Sequence, residues 1–193
     1  RSMNRRHFLK QSLLAASFLS AAQSRSIFAS NSSTWPIGCF NRPWTKWSYD
    51  EALDGIAEAG YKWTGLLSSH KGEAFTSSNA TPAYLEQLKK RIHSRGLKVS
   101  MTAIRFKSDA SLENLIEDVR KQIDNAARME LQYMLTFGVD KPEHYEKFYR
   151  LMSDAAAQAE KRSIRLVMKP HGGGSGASEE ILRCINKVGQ PNF

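Results

Sequence analysis

Cysteine is scarce: Cys39 and Cys184 are the only two in 193 residues, too few and too isolated for a disulfide framework or a thiolate metal knuckle. Both read as buried free thiols. Long apolar runs are lacking as well. The stretch from Leu13 to Ala22 offers ~10 residues against the ~20 that a bilayer span needs, so no stable membrane anchor is expected. No Gly-x-Gly-x-x-Gly follows the first strand-like segment, where Gly38-Cys39-Phe40-Asn41-Arg42-Pro43-Trp44 stands instead, and this argues against an open dinucleotide-binding sheet. Charge of one sign is missing once the chain is divided. The formal +9 includes Arg1, Arg5, Arg6, Lys10 and Arg25, with no acid among residues 1–29. The remainder holds 23 basic and 19 acidic residues, and a net +4 spread along helices is no footprint for nucleic acid.

What is present divides in two. Asn4-Arg5-Arg6-His7-Phe8-Leu9-Lys10, followed by the short apolar run and by small residues at Ser20, Ala22 and Ala29, has the order of a twin-arginine secretion signal over 1–29. The expected partner is the twin-arginine export machinery, and the expected location is periplasmic or secreted. Residues 30–34 read as a polar linker. The rest is 35–193, whose composition suits a globular domain; the whole chain is 41% hydrophobic and 24% charged.

From Pro36 onward, apolar strand-like segments alternate with amphipathic helices. Segments begin near Pro36, Tyr61, Leu97, Leu131 and Ile164. The first helix opens at Ser48 with Glu51 three residues on, a capping box, and stops at Gly60. Thr81-Pro82 opens the second, whose Leu85, Leu88 and Ile92 share one face before Gly96. The third runs from about Ser111 and the fourth from Pro142, both with the 3.6-residue period. Segments such as Tyr133-Met134-Leu135-Thr136-Phe137 are apolar with little alternation, as in parallel strands covered by helices. Strict alternation without a nucleotide fingerprint favours an α/β TIM (β/α) barrel, of which these are the first five βα units. A barrel of this type has eight units and ~250 residues. The chain reaches Pro191-Asn192-Phe193 where a sixth strand is expected, and Met3 reads as an initiator. The chain is therefore expected to be a C-terminally incomplete piece, inactive alone.

Pro36 to Trp44, the helix end Glu58-Ala59-Gly60-Tyr61 and the run Leu166-Val167-Met168-Lys169-Pro170-His171-Gly172-Gly173 together resemble the sugar phosphate isomerase/epimerase family with the xylose isomerase-like TIM barrel. The resemblance covers 35–193. It implies isomerisation or epimerisation of a small-molecule carbohydrate, a sugar or sugar acid, by proton transfer next to a carbonyl. It also implies a divalent metal (Mn, Mg or Zn) held by carboxylates and a histidine at strand ends five to eight. The sequence departs from that pattern at Lys169, where many members have a metal-binding Glu. Two alternatives on the same fold are a non-catalytic carbohydrate-binding barrel and an endonuclease acting at abasic sites in DNA. The leader, the modest charge and the lack of a His/Glu cluster disfavour the second.

In such a barrel, function sits where strands give way to the following loops. Arg42 and Trp44 follow strand one, His70 follows strand two, Arg105 strand three, and Lys169 and His171 strand five. Lys169 and His171 are the expected catalytic pair. Alternation turns both to one side while Pro170 faces away. Arg42, Trp44, His70 and Arg105 are the expected substrate-binding residues, their positive charge suited to an anionic sugar or an enediolate oxygen. Glu73 and Asp140 lie further out on loops, and His93 and His144 on helical, exposed positions. The glycine run 172–176 is a candidate for a phosphate cradle at a helix start.

Overall fold

The computed structural model describes residues 35–67, 70–171 and 176–193. The signal at 1–29, the linker at 30–34 and most of the glycine run lie outside the described residues. Two units are distinguished, Arg1–Trp35 and Pro36–Phe193; the second carries every strand and helix described here.

Strands β1 (Gly38–Phe40), β2 (Trp63–Leu66), β3 (Lys98–Ala103), β4 (Tyr133–Thr136) and β5 (Arg165–Met168) alternate with helices α1 (Tyr49–Glu58), α2 (Pro82–His93), α3 (Leu112–Arg128), α4 (Tyr145–Glu160) and α5 (Ser178–Val188). The strands pair in sequence order, all parallel. Crossovers between parallel strands are right-handed as a rule, so an order without reversal puts every helix on the same face, as in a barrel; a doubly wound sheet would reverse its order and use both faces.

The helix starts follow from local chemistry. At α1 the Ser48 hydroxyl accepts from the Glu51 backbone N–H, while the Glu51 carboxylate accepts from the Ser48 N–H at 2.7 Å. Thr81 and Ser111 cap α2 and α3 in the same way through the N–H groups of Tyr84 and Asn114. Helix four differs from its sequence reading. Pro142–His144 is a 3₁₀ turn and α4 starts at Tyr145, because neither Lys141 nor His144 supplies a capping bond and proline fits the first position of either helix type. Beyond β5, Asn192 accepts at its backbone carbonyl from Leu166 N–H and donates its side-chain amide to Ile164 O. The chain there lies beside β5, in the place of the next strand.

Two apolar layers result. The larger lies between helices and sheet, with Leu53, Ile56, Leu88, Ile92, Met134 and Met152 fully buried; each such side chain contributes about 1.5–3 kcal/mol of transfer free energy. The smaller lies on the opposite, inner face: Leu67, Ala103 and Leu135, with Phe40, Met101, Phe137 and Val167 packed on them. Cys39 is half-buried in β1 and Cys184 is buried in α5, both free thiols as expected.

Candidate functional site at the carboxyl ends of the strands

The strand register sorts the inner face into rows. Met101, Tyr133 and Arg165 are partners across β3, β4 and β5, and Ala103, Leu135 and Val167 are partners one row higher. Pairing continues past the strand ends, since Ile104 N–H donates to Leu135 O and Lys169 N–H donates to Thr136 O. Two residues beyond Leu135 and Val167, alternation carries Phe137 and Lys169 to the same side, and the Lys169 ammonium lies over the Phe137 ring. The inner face therefore changes from apolar to cationic at its carboxyl end.

Phe137 organises this row. The Lys169 Nζ lies 5.8 Å from the centre of its ring, and the His171 imidazole meets the ring edge-on with centroids 4.8 Å apart. Both side chains thus touch one aromatic surface, as residues two apart on an extended segment can. Beside them an open cleft of ≈ 700 Å³ lies over the β3 and β4 ends and the loops that follow, lined by Arg105, Ser108, Phe137, Asp140, Lys141 and His144 among others. Arg105 is held at its backbone by Gln122, whose amide accepts from Arg105 N–H at 3.0 Å and donates to Arg105 O at 2.5 Å. Gln122 is buried, so the strand end cannot drift without leaving that amide unsatisfied.

The other expected contacts lie elsewhere. His70 is wholly buried: its Nδ1 accepts from Asn41 Nδ2 at 3.1 Å, which leaves Nε2–H to donate to Trp47 O at 2.9 Å. Both ring nitrogens are occupied, so His70 serves the frame and is not offered to the mouth. Trp44 also turns away from the mouth. Its indole lies against α1, with Nε1 2.8 Å from where a Cβ on Gly55 would stand. Arg42 is exposed on the same 3₁₀ turn, Arg42–Trp44. Glu73 is held by Arg91 at 2.8 Å and by the Tyr84 hydroxyl at 2.5 Å, and it pins the loop between β2 and α2. Sequence reading passes over Phe137 and sets His144 aside as exposed. The first is marked only by strand alternation, and the second is half-buried in the 3₁₀ turn that replaces the expected helix start.

Residues 53–193 match the family model described as the xylose isomerase-like TIM barrel. The chain belongs to this family. Solved structures agree in fold. A D-psicose 3-epimerase solved in the presence of D-fructose is 14% identical with a TM-score of 0.62, the match covering 80% of this chain and 60% of that one. An L-ribulose 3-epimerase is 14% identical with a TM-score of 0.61, covering 81% and 58%. A xylose isomerase-like barrel from Mycobacterium smegmatis in complex with magnesium is 14% identical with a TM-score of 0.66, covering 82% and 63%. The chain thus spans about three fifths of the length of these structures. No curated protein matches it in sequence.

The magnesium of that one relative raises the question of a metal here. Among the described residues no three His, Cys, Asp or Glu side chains come together as a ligand set. The end of β5 presents the Lys169 ammonium and the end of β3 the Arg105 guanidinium, and cations of this kind repel a divalent ion. The described strand ends of this family member do not fit a metal centre.

Proposed function

We propose that the whole protein is an exported carbohydrate isomerase or epimerase that moves a proton at the carbon next to a carbonyl, with Lys169 and His171 at the reacting centre. The observation that carries this reading is the convergence of both side chains on Phe137 at the carboxyl end of a parallel sheet, the end at which barrels of this type place their chemistry. The epimerases among the structural relatives support the reaction class.

His171 is the group able to accept a proton at a ring nitrogen. The C–H bond next to the carbonyl breaks, its proton passes to the imidazole, and its electron pair forms the carbon–carbon double bond of an enediolate. Negative charge gathers on the former carbonyl oxygen, where the Lys169 ammonium is a compact counter-charge. Passage of the adjacent hydroxyl's proton to that oxygen, with return of the first proton to the former carbonyl carbon, gives the isomer. Delivery to the same carbon from the other face, by a second group, gives the epimer. Phe137 positions both side chains without touching the reacting atoms.

Two measurements test the parts separately. In the whole protein, Lys169→Met and His171→Gln should each lower turnover by roughly 10²–10⁴-fold with an unchanged Tm. Normal specific activity in a protein that melts early would make the pair structural. For export, changing Arg5 and Arg6 to Lys should hold the protein in the cytoplasm; undiminished periplasmic accumulation would contradict the signal reading.

A further inference from the structure

We propose that the amino-terminal end of the sheet, opposite the mouth, docks on the anionic headgroups of a phospholipid membrane through Lys62, Lys98 and Arg165. Four connections run from a helix to the first residue of the next strand: 59–63, 94–98, 129–133 and 161–165. They hold six arginines and lysines (Lys62, Arg95, Lys98, Lys161, Arg162 and Arg165) against one acid, Glu130. The last helical residues add Glu58, His93, Arg128 and Glu160, so this end stays cationic.

Part of this charge has a local explanation. Arg95 and Arg162 are paired with Asp54 and Asp124, and Glu130 with Lys89. Lys161 caps α4 and Arg128 ends α3, where cations complement the helix dipole. Lys62, Lys98 and Arg165 have neither reason. They are exposed and make no ion pair among the described residues. They stand at strand starts, four or five residues past the last helical residue, where the dipole has faded. Backbone bonds hold these starts along one edge: Lys98 N–H donates to Lys62 O, Gln132 N–H to Ser100 O and Arg165 N–H to Gln132 O. Apolar side chains stand among them. Ile37, just before β1, is exposed, and the Lys98 Nζ lies 5.6 Å from the centre of the half-buried Trp63 ring. Cations beside an aliphatic and an aromatic side chain suit the headgroup level of a bilayer, whereas nucleic acid requires a denser positive field. β1 also begins at this end, so under the export reading a leader in the bilayer draws this end, and not the mouth, to the surface.

The experiment is sedimentation of the full chain with vesicles of mixed phosphatidylglycerol and phosphatidylcholine, or of phosphatidylcholine alone, at low and high salt. Two triple variants remove the same charge from opposite ends. One carries Lys62→Gln, Lys98→Gln and Arg165→Gln at the strand starts; the other carries Lys46→Gln, Lys71→Gln and Lys107→Gln in the loops at the mouth. The native chain should bind the anionic vesicles and leave them in high salt. The strand-start variant should bind roughly 100-fold more weakly, at roughly fivefold per charge, with an unchanged Tm. The mouth variant should lose far less, because charges at the far end are screened. Lys62→Arg with Lys98→Arg should keep the binding. If the strand-start variant melts early, amide exchange of the native chain decides: on anionic vesicles it should slow over 94–98 and 161–165 and not over 137–144. No binding to anionic vesicles, equal loss in the two triple variants, undiminished binding in the strand-start variant, or protection at the mouth instead overturns the assignment. Duplex DNA bound as tightly, and lost with the same three residues, identifies a general polyanion surface and overturns the membrane.

Discussion

Asn41 uses its whole amide inside the protein. Its Oδ1 accepts from Leu67 N–H at 2.9 Å, and its Nδ2 donates to Leu67 O and to His70 Nδ1. One side chain thereby ties the end of β1 to the turn after β2, next to where the mouth begins. Asn41→Ala should cost about 2–3 kcal/mol in urea denaturation, because it strands a buried donor and two acceptors; a change within experimental error would mean that the turn relaxes around the loss. His70 shows where sequence stops being informative at this scale. Its place after β2 was legible, but burial and the occupation of both nitrogens depend on Asn41 and Trp47, which are 29 and 23 residues away. Lys169 and His171 are the opposite case, because residues two apart on an extended segment share a side whatever surrounds them. Gly65 follows the same logic from the inside: a Cβ there would stand 2.2 Å from the Phe40 ring, so the glycine lets that ring cross the inner face.

At the scale of elements, helix beginnings were readable where a hydroxyl cap was present, at Ser48, Thr81 and Ser111. The start of α4 was not, since proline alone does not separate a 3₁₀ turn from an α-helix. Helix ends divide in the same way. Gly60 and Gly96 mark the stops after α1 and α2 with left-handed backbone, while the corresponding positions after α3 and α4 are Glu130 (φ 59°) and Ser163 (φ 56°), residue types that give no stop signal. Ser163 takes its conformation against the steric preference of an L-residue, a cost of roughly 1–2 kcal/mol. Part of that returns when glycine replaces it, less the extra freedom glycine gains in the unfolded chain. Ser163→Gly should therefore raise stability by about 0.5–1 kcal/mol, measured as a higher urea midpoint at constant m-value. A lower midpoint would show that the serine is held by something other than backbone geometry.

Over the whole molecule, the five parallel strands were legible from their beat and apolar character, and the ordered pairing β1 to β5 agrees with the barrel reading. The inner rows were not legible, because register across strands 30 or more residues apart is fixed by packing on the helices rather than by any one segment. Once the rows are drawn, polarity changes from the Ala103–Leu135–Val167 row to the row of Phe137 and Lys169, and chemistry collects at the end of the molecule where the loops open. The family explains the scaffold, and the side chains on that last row carry the argument for proton transfer. The most direct test is incorporation of solvent deuterium into a ketose or a keto sugar acid by the whole protein, read by mass spectrometry and NMR at the carbon next to the carbonyl. The account predicts one deuterium at that carbon with the native protein and a loss of roughly 10²-fold or more in its rate with His171→Gln at unchanged Tm. Incorporation at the native rate in the variant, or turnover with no solvent deuterium and no dependence on His171, would contradict it.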